Sequence, residues 1–195
     1  MDHHDHVALI REGVVGAGRR WLELGAGDGA FTLALADVLG PGGSIVTLDR
    51  DAGAIKTGAE RVGRAFADVD VRHVQGDFTR GLPIGPFDGV LAANSLHFVA
   101  DRGPVLARIR DELRPGGHLV IVEYDADRGN PWVPHPFTPE QWRKEAGAAG
   151  FGDIRVLHRV PSRFLGGIYG ALAGKPVGPE RRKGEIGGTG PLEDE

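Results

Sequence analysis

One alternation limits how this chain can fold more than any other feature. Short apolar runs of strand length are separated, repeatedly, by stretches with the 3.6-residue spacing of an amphipathic helix. RRWLELG reads as a buried strand, and GAFTLALADVLG as a helix ending at Gly40. SIVTLD is a second strand, and AGAIKTGAERVGRAF a second helix with apolar positions at Ile55, Ala59 and Val62. VDVRHVQGD and FDGVLAANS supply a third and a fourth strand. RGPVLARIRDELR follows as a helix closed by Gly116-Gly117, and HLVIVEY is a fifth strand. Strands and helices alternating across short connections imply a parallel sheet covered on both faces. Right-handed crossovers then gather the carboxyl ends of the strands along one edge, where ligands bind. The last part of the chain departs from this rule. FTPEQWRKEAGAAGFG is a helix with Thr138 as its cap, but DIRVLHRVP and RFLGGIYGAL are joined by only a few residues around Pro161 and Ser162. So short a link permits antiparallel pairing and no parallel crossover, so the sheet is expected to finish with an antiparallel strand.

Composition narrows the function classes. The 195 residues suit one domain, and 41% hydrophobic with 26% charged residues is ordinary for a globular protein. A net charge of −4 gives no electrostatic footprint for DNA or RNA. The chain has no cysteine, which excludes disulfides, thiolate metal sites and a cysteine nucleophile. No apolar run reaches membrane-span length, and MDHHDHVALIREG lacks the basic flank and apolar core of a signal peptide, so a cytoplasmic protein is expected. The expected domain covers residues 1–175. The segment 176–195, PVGPERRKGEIGGTGPLEDE, concentrates Gly, Pro and charge and is expected to be disordered. The N-terminal DHHDH has metal-ligand residue types at close spacing but reads as a frayed terminus, and no metal is expected.

The glycines of WLELGAGDGAF stand at alternate positions, Gly25, Gly27 and Gly29, between the first strand and the first helix. This turn fits G-x-G-x-G and, through Ala30, also the dinucleotide fingerprint G-x-G-x-x-A. Either way, glycine allows a ligand to approach the backbone closely beside a helix N-terminus. The surroundings say more. Glu23 is an acid on a strand that should be buried, where a carboxylate needs hydrogen-bond donors or a cation. Asp49 ends the second strand, where a carboxylate can bind both hydroxyls of a ribose. Gly76-Asp77-Phe78 ends the third, offering a carboxylate and a ring to an adenine amine, and AANSLHFV leaves the fourth strand small and polar.

In this order, LELGAGDG, VTLD, QGDF, FDGVLAANSLHFV and LRPGGHLVIVEY resemble the motifs of class I S-adenosylmethionine-dependent methyltransferases, most of all the small ubiquinone-biosynthesis-like ones. The resemblance spans roughly residues 7 to 173. It implies an α/β, Rossmann-like, mostly parallel seven-stranded sheet of order 3-2-1-4-5-7-6 with an antiparallel last strand and helices on both faces. It implies S-adenosylmethionine as cofactor, with Glu23, Gly25, Ala26 and Gly27 cradling its methionine part. Asp49 would bind the ribose and Arg50 would flank the adenine. Gly76, Asp77 and Phe78 would meet the adenine amine and ring edge, and Ala93 and Asn94 would lie near the amino group. The implied partner is a small-molecule methyl acceptor, not nucleic acid or membrane, and the protein would be a monomer or homodimer.

Methyl transfer is an in-line displacement in which alignment does much of the work, so no fixed catalytic residue is required. For a hydroxyl acceptor a base helps, and His97 is the first candidate, His135 the second, with Tyr124 positioning the acceptor. Trp132, His135 and Phe137 lie in the Pro-rich link after Tyr124, where a lid over the substrate belongs. Two rivals share the glycine turn: a nicotinamide-dependent oxidoreductase and a nucleotide-binding regulatory protein without chemistry. The first lacks a separate substrate domain, and neither tyrosine is followed four residues later by lysine, as a short-chain reductase requires.

Overall fold

The computed structural model describes residues 1–162 and 164–178. The tail read as disordered lies, from residue 179 onward, outside the described residues. Among the described residues seven strands form one sheet: β1 Arg20–Leu24, β2 Ser44–Asp49, β3 Asp70–Gln75, β4 Phe87–Ala93, β5 Leu113–Asp125, β6 Gly152–Pro161 and β7 Gly167–Gly174. Their order across the sheet is β3-β2-β1-β4-β5-β7-β6. Pairing is parallel from β3 through β5, while β7 runs antiparallel to both β5 and β6. The Rossmann-like sheet expected from the motifs is therefore the one observed, including its reversed β6–β7 hairpin.

Among the described residues five α-helices cover the sheet: α1 His3–Val14, α2 Ala30–Leu39, α3 Ala52–Ala65, α4 Gly103–Glu112 and α5 Pro139–Ala148. Successive strand side chains point to opposite faces, so β1 divides its residues between two cores. Trp21 packs with Leu9 and Ile10 of α1 and Phe31 and Leu35 of α2, whereas Leu22 and Leu24 pack with Leu106 and Ile109 of α4 and Trp142 of α5. Both layers bury continuous apolar surface, the dominant stabilising term of such a fold.

Two expectations are corrected. The N-terminal DHHDH is not frayed. Asp2 caps α1, its carboxylate accepting the Asp5 N–H at 2.9 Å while the Asp5 carboxylate accepts the Asp2 N–H at 3.2 Å. This reciprocal box, with Val7, Leu9, Ile10 and Val14 buried beneath it, holds the helix to the sheet. Among the described residues no cluster of three or more His, Asp or Glu side chains could hold a metal ion. The second correction is at Gly116-Gly117, which lie inside a strand rather than closing a helix. α4 stops at Glu112, and β5 starts at Leu113, pairing with Phe87 before a register shift carries the ladder on to Gly89–His118. Gly116 has φ 74°, so the irregularity uses the left-handed conformation glycine permits.

α1 crosses β7 so closely that a Cβ on Gly170 would lie 2.0 Å from the Leu9 carbonyl oxygen. Backbone cannot yield as a side chain can. Gly170→Ala is therefore expected to destabilise the protein by about 1–3 kcal/mol and lower Tm by roughly 2–4 °C per kcal/mol, as read by thermal unfolding. An unchanged Tm would show that α1 shifts freely. No helix among the described residues is long and apolar enough to cross a membrane.

Candidate functional site

The ends of β1, β2, β3 and β4 meet at one edge of the sheet around a cavity of about 600 Å3. A volume of that size suits a ligand of nucleoside dimensions. Its lining comes from the glycine turn (Gly25, Gly27), the β2 end (Asp49, Arg50, Asp51), the β3 end (Gly76, Asp77, Phe78, Thr79), and the β4 exit (Asn94, Ser95, Phe98, Val99), with Ala54 of α3.

The turn is glycine-rich for backbone reasons. Gly25, Gly27 and Gly29 all have positive φ, at 70°, 54° and 86°. A Cβ on Gly25 would lie 2.6 Å from Ser95 Cβ, whereas at Gly27 nothing stands within 4 Å, so Gly27 faces open space. Asp49 holds the turn in place, its Oδ2 accepting the Gly27 N–H at 2.8 Å and its Oδ1 accepting the Asp51 N–H at 2.9 Å. On the next strand, Asp77 Oδ1 accepts the Thr79 hydroxyl at 2.7 Å and the Thr79 N–H at 2.8 Å. These Thr79 bonds, the hydroxyl first, hold the Asp77 carboxyl below the usual carboxylate range.

Glu23 does not line the cavity. It faces the α2 side of the sheet, 2% exposed, and accepts a hydrogen bond from Thr32 Oγ1 at 2.6 Å. Burial pushes its carboxyl up to about 8, against the lowering effect of the Thr32 bond. The unfolded chain releases this proton near 4.5 and the folded chain holds it to about 8, so folding stability is lost as pH climbs through that window. Glu23→Gln removes the titration and keeps the Thr32 acceptor. It should stabilise the protein at pH 8 relative to pH 5 by on the order of 3 kcal/mol more than wild type. Parallel Tm-against-pH curves for the two proteins would refute this.

Ala26 and Ala93 are not among the lining residues, Ala93 being 8% exposed. His97, Tyr124 and His135 also stand outside the lining. His97 is nonetheless next to it in space, its ring 4.3 Å from that of the lining residue Phe98. The feature the sequence did not reveal is its partner. Glu123 of β5, fully buried, accepts the backbone N–H groups of Ser95, Leu96 and His97 on Oε1, at 3.2, 2.9 and 3.3 Å. Its Oε2 stands 2.7 Å from His97 Nδ1. A carboxylate acceptor there places a proton on Nδ1 and leaves the Nε2 lone pair free, and Nε2 has no hydrogen-bond partner among the described residues. Tyr124 lies with its ring 6.0 Å from His97, edge-on. His135 has an exposed side chain and reaches His97 only through backbone, donating its N–H to the His97 carbonyl at 3.0 Å.

The link after β5 is pinned as well as exposed. Val133 and Phe137 are buried, and Arg102 stacks 4.2 Å over the Phe137 ring while donating to the His135 carbonyl at 3.2 Å. Trp132 is 70% exposed.

Fold and cavity together define a class I methyltransferase-type domain. A family model described as "Methyltransferase domain" matches residues 22–119, about half of the chain, and the chain belongs to that family. The chain is 31% identical over 108 residues to the ubiquinone/menaquinone biosynthesis C-methyltransferase UbiE of Stutzerimonas stutzeri, covering 55% of this chain and 42% of that protein. It is 28% identical over 160 residues to the reducing polyketide synthase grgA of a Penicillium species, covering 70% of this chain and 6% of that protein. It thus spans less than half the length of these curated relatives. Among solved structures, the YcgJ protein of Bacillus subtilis superposes with a TM-score of 0.73 at 13% identity, covering 89% of this chain and 99% of that one. A Haemonchus contortus phosphoethanolamine N-methyltransferase, solved with S-adenosylhomocysteine, gives 0.71 at 18% identity, covering 89% of this chain and 52% of that one.

A methyltransferase domain of this fold takes its methyl group from S-adenosylmethionine, and the residues present fit that group. Asn94 Oδ1 and Ser95 Oγ are buried without hydrogen-bond partners, and both residues line the cavity. Two orphaned acceptors, open space at Gly27 and the carboxylates of Asp49 and Asp77 make a donor-hungry site suited to a ligand rich in hydroxyl and amino groups. Neither rival to methyl transfer is favoured by the family match.

Proposed function

We propose that this chain transfers a methyl group from S-adenosylmethionine to a small-molecule acceptor whose reacting atom gives up a proton to His97. The observation that carries the second half is the buried Glu123–His97 pair at the rim of the cavity. When bound, S-adenosylmethionine supplies a methyl group on a positively charged sulfur, which keeps the bonding electron pair as the acceptor attacks.

The chain's own residues do the rest. Asp49 binds the ribose hydroxyls with Arg50 and Gly76 alongside, and Asp77 with the Phe78 backbone meets the adenine. Gly25, Ala26 and Gly27 let the methionine part approach the backbone, and Ala93, Asn94 and Ser95 receive its amino group. Neutral Glu23 supports the turn from beneath through Thr32. Glu123 fixes the His97 tautomer, so Nε2 presents a lone pair to the acceptor, and with 3% of the residue exposed the imidazole works out of bulk water. Tyr124 positions the acceptor beside it, and His135 holds the His97 backbone rather than serving as a second base.

The test is a thermal-shift comparison of S-adenosylmethionine, S-adenosylhomocysteine and NAD(H), followed by turnover on a panel of acceptors. The first two ligands should raise Tm. Stabilisation by NAD(H) alone would overturn the methyltransferase assignment, and cofactor binding without turnover on any acceptor would favour a regulatory role.

A further inference from the structure

α3 is weakly rooted in the core, yet the glycine turn leans on it. Of its fourteen residues only Gly58 and Val62 are buried, fewer than in any other α-helix among the described residues. Beyond Gly58 a hollow of about 330 Å3, lined in part by Val62, Phe66, Val71 and His73, opens between the helix and β3. The close contacts of α3 are made instead with the turn. Ala54, Gly58 and Arg61 recur at the i, i+4, i+7 spacing that sets side chains on one side of a helix. Ala54 lines the cavity. At Gly58 the helix backbone lies against the turn, since an added Cβ would stand 3.3 Å from both the Asp28 carbonyl carbon and the Gly29 nitrogen. Arg61 then reaches across, its Nη1 donating to the Asp28 carbonyl at 3.0 Å and to the Asp28 carboxylate at 2.6 Å. One guanidinium nitrogen thus grips both the backbone and the side chain of the residue between Gly27 and Gly29.

We propose that Arg61 is a positioning residue for the cofactor, holding the glycine turn in its binding conformation through Asp28 before the ligand arrives. This rests on the methyltransferase reading above and adds a residue 33 positions away from the turn it controls. Two observations choose affinity rather than stability as its role. The Arg61 and Asp28 side chains are 41% and 62% exposed, and an ion pair in that setting adds little to the stability of a fold. The segment it grips has glycine at positive φ on either side of Asp28. Glycine has more backbone freedom to lose than any other residue, and whatever ordering the free turn lacks is subtracted from binding.

The test compares wild type, Arg61→Ala, Asp28→Ala and the double variant as full chains. Each is titrated calorimetrically with S-adenosylhomocysteine, whose neutral sulfur removes any direct repulsion between Arg61 and a sulfonium, and Tm is recorded without ligand. Each single variant should raise Kd about 5–10-fold while Tm stays within about 2 °C of wild type. The double variant should lose no more affinity than either single one, because all three remove the same contact. Unchanged Kd in Arg61→Ala, or losses that add in the double variant, would overturn the clamp and leave the cofactor assignment standing. A Tm that falls by several degrees alongside the affinity would make Arg61 a structural residue and overturn the clamp as well. Failure of wild type to bind S-adenosylhomocysteine would instead overturn the cofactor assignment, and this inference with it.

Discussion

Asp49→Ala should weaken S-adenosylmethionine binding by about 100-fold, the largest loss of affinity expected from any single change at the cavity. Two effects combine. A carboxylate that accepts both hydroxyls of a ribose makes charge-assisted hydrogen bonds, each worth about 1.5–3 kcal/mol. The same side chain already accepts the Gly27 and Asp51 N–H groups, so its removal also releases the glycine turn from the β2 end. Asp49→Asn keeps one acceptor oxygen and should lose less. Both variants should retain most of their Tm, since Asp49 belongs to neither apolar core. Calorimetric titration with S-adenosylmethionine is the measurement, and unchanged affinity in the alanine variant would sink the ribose assignment.

The second large effect is on rate rather than affinity. His97→Ala should reduce kcat by about 10²–10⁴, the usual contribution of a positioned general base, with the Kd for S-adenosylmethionine nearly unchanged. Glu123→Gln separates catalysis from architecture. The glutamine oxygen can still accept the backbone N–H groups of Ser95, Leu96 and His97, so the turn survives, but a neutral amide no longer stabilises a protonated imidazole. The variant should therefore lower kcat by at least about 10-fold while Tm and the Kd for S-adenosylmethionine stay close to wild type, and a normal kcat would reduce the pair to a structural contact.

Much of this molecule is legible in the residues because the informative features are local. The unbroken burial of Trp21-Leu22-Glu23-Leu24, the glycines at positive φ and the acids at the ends of β2 and β3 all declare themselves within a few positions. What escaped depends on register. Glu123 is an acid in an apolar run, 26 residues from His97, and the two meet only because Ala93 pairs with Val122, setting the β4 exit beside the next residue of β5. The Ser95 hydroxyl escaped for a similar reason, since its burial arises from Gly25 packing across from another strand. The first helix was missed because its capping box is built from two aspartates rather than the Ser/Thr and Glu/Gln pair, and because polar residues dominate its first turn. The extra length of β5 was hidden by Pro115-Gly116-Gly117, a run that ends elements more often than it continues them.

The three tryptophans have an optical consequence. Trp21 and Trp142 are sealed at 0% and 1% exposure, one in each core, while Trp132 stands 70% exposed in the link between β5 and α5. Steady-state emission therefore divides into a blue component from the interior and a red one from a single surface indole. Aqueous quenchers such as iodide will reach only the red one. The protein thus carries an intrinsic reporter on the link between β5 and α5, readable without labels and separable from any change in the two cores.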